Sequence, residues 1–276
     1  MINKILYSFF FSFTFILVMF GQEENLSTTG VSVAPSHYHL TQEIGEEKTY
    51  DLTLNNNTST LKQFSISIKD FNLDNFGEPT FVNPGDGEYS LAEWLNITPN
   101  FVELKSNETK KVKLTVSIPN TNQAARAAWS ILLIEQEKPS ESILKPSSAQ
   151  SNTIALGVIP TYAFGVFVYQ NPPNVTRDKI TIKDFNFEIE SKTIFIRAVN
   201  EGTGINYCKA YIDLTNLDTG EQQRLNVKSF TILPNTLRDF KYSLEELKKG
   251  NYLAVGVLDF DDSEEIQAAK LKFNIN

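Results

Sequence analysis

The stretch Ile154–Tyr169 (IALGVIPTYAFGVFVY) constrains the fold more than any other part of the chain. Its sixteen residues carry no charge, and the nearest basic residues on either side are Lys145 and Arg177. β-Branched and aromatic side chains dominate it, and Gly157, Pro160 and Gly165 interrupt it. A buried helix would lose a hydrogen bond at the proline and backbone entropy at the glycines, so extended chain is expected. Fully extended, such a segment reaches roughly 50 Å, which is long for one strand. Either it bends at Pro160 and serves two sheets, or part of it is an edge whose apolar side chains await a partner. Proline has no N–H to donate, which suits an edge or a bend. The plainer alternative is a fully paired core strand. We expect Ile154–Ile159 to be the edge part and Tyr162–Tyr169 to be paired.

The remaining chain alternates with period two. Val112, Leu114, Val116 and Ile118 form the cleanest run, and Tyr50, Leu52 and Leu54 and then Phe64, Ile66 and Ile68 do the same. Val31–Leu40 contains Pro35 and reads as an edge strand. Asp70–Gly87 is rich in Asn, Asp, Gly and Pro and reads as a loop. Trp94–Phe101 and Arg126–Ile134 read as strands, and Glu135–Thr153 as a mobile polar loop. Asn171–Asn174 (NPPN) is the best linker. Beyond it, strands are expected over Ile180–Ile189, Lys192–Asn200, Asn206–Asn216, Gln223–Phe230, Thr236–Tyr242, Asn251–Asp259 and Ala268–Ile275. Turn signals at Gly202–Gly204, Asp218–Gly220 and Lys249–Asn251 come at sandwich spacing. The expected fold is all-β: two consecutive immunoglobulin-like antiparallel β-sandwiches, residues 22–172 and 173–276, after a signal peptide at 1–21.

That signal peptide rests on Lys4, the apolar run Ile5–Phe20, and Gly21 before Gln22. A retained membrane anchor is the alternative, although Ser8, Ser12 and Thr14 interrupt the run. No cysteine lies there, which argues against a lipoprotein, and no other stretch suits a membrane-spanning helix. Export to a bacterial periplasm or cell surface is expected. The formal net charge of −8 argues against nucleic acid as a partner. Cys208 is the single cysteine, so no intramolecular disulfide exists.

The first half resembles the periplasmic pilus chaperones (PapD-like). The resemblance runs through Ala34-Pro35-Ser36-His37-Tyr38, then Tyr50–Asn56, then Trp94-Leu95-Asn96-Ile97-Thr98-Pro99 with Phe101 and Leu104, then Lys111–Pro119. It ends in an apolar strand that opens Ile154-Ala155-Leu156 and closes Val166-Phe167-Val168-Tyr169 before prolines. The second half is similar to the second immunoglobulin-like domain of such proteins, with Lys249-Gly250-Asn251-Tyr252 leading into a final hairpin. Two-domain surface proteins with a peptidoglycan-binding half share much of this phrasing. The chaperone resemblance implies that Ile154, Leu156 and Val158 are donated to an incomplete secreted or surface protein as an added strand. It also implies a basic clamp for the client's terminal carboxylate. His37 is the nearest equivalent of the clamp's arginine, and its lysine falls around Phe164–Gly165, where the chain has no Lys or Arg. A neutral imidazole is a weaker anchor than a guanidinium fork.

No catalytic constellation or cofactor motif emerges. His37 and His39 share a strand face and supply half a metal site at most, with no third ligand by spacing. Asp259, Asp261, Asp262, Glu264 and Glu265 lack the glycine and carboxylate order of a calcium loop and read as a solvated hairpin tip. Gly202–Gly204 lacks the strand-to-helix setting of a phosphate loop. Cys208, Trp94 and Trp129 read as core residues. The expectation is therefore a binding protein without metal or cofactor: a chaperone acting by strand addition, or a structural or peptidoglycan-binding protein of the envelope.

Overall fold

The computed structural model describes residues 30–137, 161–177, 179–260 and 266–276. The signal segment, most of the polar loop and Ile154–Ile159 lie outside the described residues.

Strands follow the expected alternation. In the first half they are β1 (Val31–Ala34), β2 (His37–Leu40), β3 (Glu47–Asn56), β4 (Lys62–Leu73), β5 (Pro79–Val82), β6 (Leu95–Thr98), β7 (Phe101–Leu104), β8 (Glu108–Ser117), β9 (Ala128–Gln136) and β10 (Ala163–Gln170). The second half holds β11 (Ile180–Glu188), β12 (Thr193–Asn200), β13 (Asn206–Asn216), β14 (Gln222–Arg224), β15 (Lys228–Ile232), β16 (Leu237–Ser243), β17 (Gly250–Phe260) and β18 (Gln267–Ile275).

These strands form two immunoglobulin-like β-sandwiches. In the first, the sheet β1-β3-β8-β6 faces the sheet β2-β10-β9-β4, to which β5 and β7 add through β4. In the second, β11-β12-β16 faces β14-β13-β17-β18, with β15 also on β13. Strand pairing is antiparallel except for β2 with β10, which is parallel. Leu52, Leu54, Val112, Leu114 and Val116 meet Phe64, Ile66, Leu132, Ile134, Val166 and Val168 in the first core. Ile194, Ile196 and Phe240 meet Cys208, Ala210, Ile212 and Leu258 in the second.

Local chemistry ends the strands. Asn56, Asn200 and Asn216 each close a strand and accept, on Oδ1, the N–H two residues on, from Thr58, Gly202 and Asp218. This is the turn-forming habit of asparagine. Asn56 and Asn200 are fully buried, so their amides stand in for backbone partners that the turning chain lacks.

A third apolar cluster joins the sandwiches. Phe71, Ala127, Trp129, Ile131 and Tyr169, on the outer face of the β2-β10-β9-β4 sheet, pack against Ile205 and Leu233 of the second sandwich. The Asn171 amide brackets Ile205, donating to its carbonyl (2.7 Å) and accepting its N–H (2.8 Å).

Five segments differ from expectation. Val31–Leu40 is not one strand but β1 and β2 in opposite sheets, and Gln223–Phe230 is divided between β14 and β15. Asp70–Gly87 is not wholly loop, because β5 pairs with the end of β4 as a short hairpin. Trp94–Phe101 is not one strand. It begins as a 3-10 turn over Ala92–Trp94, and β6 and β7 then belong to opposite sheets, divided at Pro99–Asn100. A proline N cannot continue a ladder, which suits the crossing there. Arg126 lies at the end of a 3-10 turn over Asn122–Ala125, and the strand starts at Ala128.

Candidate functional site

The candidate site is an edge of β10 and the cleft beside it. Even-numbered residues of β10 (Phe164, Val166, Val168) turn into the first core. Phe167 and Tyr169 turn to the outer face, against the cluster shared with the second sandwich. β9 pairs with the whole strand, from Ala163 opposite Glu135 to Gln170 opposite Ala128. β2 pairs only with Phe167–Gln170. This shorter ladder begins with Phe167 N–H donating to Ser36 O (3.1 Å) and ends with Asn171 N–H donating to Leu40 O (2.9 Å). Among the described residues, no strand covers Ala163–Val166 on that side.

The cause is the shape of the first strand. β1 pairs with β3 in the opposite sheet, and the chain crosses to β10 only at Pro35–Ser36. Half of β10 is left beyond the reach of β2. The odd residues Phe167 and Asn171 bond toward β2, whereas Tyr162 O accepts from Gln136 N–H (2.8 Å) on the β9 side. By this alternation, the N–H and C=O of Ala163 and Gly165 point to the uncovered edge. A Cβ on Gly165 would stand 2.8 Å from Ile131 Cδ1, so glycine leaves room for the Ile131 side chain to lie across β10 here. Gln170 fixes the other end, donating to Gln42 O (2.7 Å) and accepting Gln42 N–H (3.2 Å).

The donor residues expected from the sequence, Ile154, Leu156 and Val158, lie outside the described residues. His37 does stand in the cleft, on β2. Its partner across the ladder is Phe167, not Phe164–Gly165, where the resemblance put the second clamp position. The His37 ring stacks on Phe167 at 5.5 Å and on His39 at 6.1 Å. His39 in turn stacks on Tyr169 at 5.2 Å and meets Tyr207 of the second sandwich edge-on at 5.5 Å. The two histidines share a face, as their spacing requires, within an aromatic ladder. Among the described residues, no group of three or more His, Cys, Asp or Glu could hold a metal ion.

His37 Nδ1 lies 2.8 Å from Ser36 Oγ, and partial burial lowers the ring's pKa from its ordinary 6.5. The unfolded chain takes up this proton first as pH falls, so stability from neutral His37 is present above about 6.5 and is lost below it. A proton-detected NMR titration of the His37 ring should therefore give a midpoint below 6.5. A midpoint at or above 6.5 would contradict this burial.

The sequence did not point to the guanidinium in the cleft. Arg238, on β16, lines with His37, Glu78 and Tyr207 a cavity of about 280 Å³ between the sandwiches. It is 6% exposed and lies over the Phe230 ring at 4.6 Å. One signal was available: Arg238 is in phase with Phe240 and Tyr242, so a charge occupies a core-facing position. Phe71, Phe167, Tyr169 and Tyr207 are cleft residues that alternation alone does not single out. Burial pushes the Tyr169 hydroxyl up to about 12, opposed by its hydrogen bond with Thr231 across the interface.

The other candidates are structural where they are described. Gly202 and Gly204 form a turn against the linker, with Gly204 N–H donating to Thr176 O (2.9 Å). Cys208 is in the second core. Trp129 is buried, and Trp94 packs at the edge of the first core. Asp259 is on β17 opposite Lys209, and residues 261–265 lie outside the described residues.

The chain matches no protein-family model and no curated protein. Solved structures do match it. The class 5 fimbriae chaperone CfaA is 16% identical, with 90% of this chain and 99% of that one covered, at a TM-score of 0.44. The chaperone–tip subunit pre-assembly complex of archaic Csu pili from Acinetobacter baumannii contributes a chain 12% identical, covering 87% and 97%, at 0.46. The E. coli chaperone DraB is 12% identical, covering 88% and 98%, at 0.44. Over most of its length, the chain is similar to solved chaperones of fimbriae and pili.

Proposed function

We propose that this chain is an exported, periplasmic chaperone that binds a secreted or surface protein by adding β10 as a strand to the partner's sheet. It is a binding protein and not an enzyme. The observation that carries the reading is the uncovered edge at Ala163–Val166, which is paired by β9 on one side only among the described residues. Such an edge offers backbone donors and acceptors in strand geometry, the recognition chemistry of β-augmentation. The alternating apolar residues Ile154, Leu156 and Val158, just before it in sequence, would supply side chains for alternate pockets. The aromatic and imidazole ladder of the cleft lies at the covered end of the same strand, where a partner's chain terminus would arrive.

Ala163→Pro tests this. The Ala163 N–H points to the uncovered edge, so proline removes that donor and leaves the β9 ladder in place. Capture of the envelope protein that co-purifies with the full chain should weaken about tenfold, roughly one hydrogen bond plus lost strand geometry. Ala163→Val, which keeps the N–H, should bind as the parent does. Equal capture by Ala163→Pro and the parent would reject strand addition at this edge. Co-sedimentation with purified peptidoglycan, unchanged by Ala163→Pro, would favour the cell-wall role instead.

A further inference from the structure

We propose that the Asp74–Glu78 turn of the β4–β5 hairpin is a clasp that fixes the angle between the two sandwiches, with Arg238 as its positioning residue. The turn is built before it reaches its target. The Asp74 carboxylate accepts N–H bonds from Phe76 and Glu78, both at 2.8 Å, and Asp74 and Glu78 close the hairpin through their backbones. The turn then crosses to the second sandwich and meets β16 residue by residue. Asp239 N–H donates to Asn75 O at 2.7 Å. The Lys241 ammonium stands 4.3 Å from the centre of the Phe76 ring. The Arg238 guanidinium lies against Gly77, in the space that a side chain there would fill.

Gly77 is required twice over. Its φ of +85° is a conformation that side chains disfavour, and an added Cβ would overlap the guanidinium. Arg238 is held between this glycine and the Phe230 ring, and its Nε has no hydrogen-bond partner among the described residues. A guanidinium fixed by stacking and shape rather than by a fork of hydrogen bonds acts here as a spacer. Burial lowers its pKa, and Asp74, Tyr169 and Glu78 oppose that shift. Its neighbour Asp239 is held in turn by a two-pronged pair with Arg197, at 2.7 and 2.8 Å. The clasp therefore rests on a braced strand.

The clasp lies beside the cavity that holds His37, so it sets the width of the cleft independently of what binds there. A preformed cleft spares a partner the cost of ordering two domains.

The test uses the full chain with Cys208→Ala and spin labels at Lys113 and Lys270, which are exposed on the first and second sandwiches. Double electron–electron resonance should give one narrow distance distribution. Arg238→Met should broaden it at least about twofold, with circular dichroism unchanged. Gly77→Ala should do the same, and if that variant fails to fold, Arg238→Met carries the test. Arg224→Met, which removes an exposed pair with Asp213 elsewhere on the second sandwich, should leave the distribution narrow. A distribution already broad in the parent, or one unchanged by Arg238→Met, would overturn the proposal.

Discussion

Trp129→Ala is expected to cost about 3–5 kcal/mol of folding stability, the range for removing a large buried aromatic. Trp129 is 6% exposed and lies at the centre of the cluster joining the sandwiches. Its ring stacks on Tyr89 at 4.6 Å, and its Nε1–H donates to Phe71 O at 2.9 Å. Alanine would leave a cavity, an unpaired carbonyl and an uncovered Tyr89. Trp129→Phe keeps most of the packing and should lose about 1–2 kcal/mol, near the contribution of the hydrogen bond. Urea denaturation reads both values. A loss below 1 kcal/mol for Trp129→Ala would mean that the joining cluster contributes little to the fold.

Asp70→Ala should cost about 2–4 kcal/mol, because it strands several donors at once. The Asp70 carboxylate is buried and accepts Ser130 Oγ–H at 2.7 Å, Gly85 N–H at 2.8 Å and Gly87 N–H at 3.4 Å. It ties the loop after β5 to the inner face of β9, opposite the outer face on which Trp129 packs. Asp70→Asn retains an acceptor and should lose about half as much in the same denaturation experiment. Equal losses from the two variants would show that the charge, and not the acceptor count, is what matters. Ser130 follows Trp129 and bonds to Asp70, so the double variant should depart from additivity.

Much of the architecture was legible because alternation is a direct record of a sheet with one buried face. Leu52 with Leu54, and Val112, Leu114 and Val116, are buried as their phase requires. The alternating run Tyr50, Leu52 and Leu54 lies within β3, which spans Glu47–Asn56. The misses have local causes. Pro79–Val82 is four residues within a run of turn formers, and its pairing with β4 depends on the hairpin and not on its own pattern. Pro99 hid a change of sheet inside what reads as one apolar run.

The site was half legible. His37 was visible because histidine is rare in this chain and falls in a phrase shared with the chaperones. Its place across from Phe167 was not visible, since the parallel ladder fixes a register that neither segment encodes alone. Arg238 was missed because the groups it meets, Gly77 and Phe230, come from two other segments, one of them in the other sandwich. Its anomaly, a charge in phase with Phe240 and Tyr242, was nevertheless in the sequence. Ile154, Leu156 and Val158 lie outside the described residues, so the donor role rests on the strand that follows them.

Amide hydrogen exchange at Ala163 and Gly165, with and without the captured partner, tests strand addition most directly. In the free chain these two amides should exchange far faster than Phe164 and Val166, whose N–H groups face β9 in the ladder. On binding, Ala163 and Gly165 should become protected by about a hundredfold or more, while Phe164 and Val166 change little. Protection of Ala163 and Gly165 already in the free chain, or none gained on binding, would contradict the account.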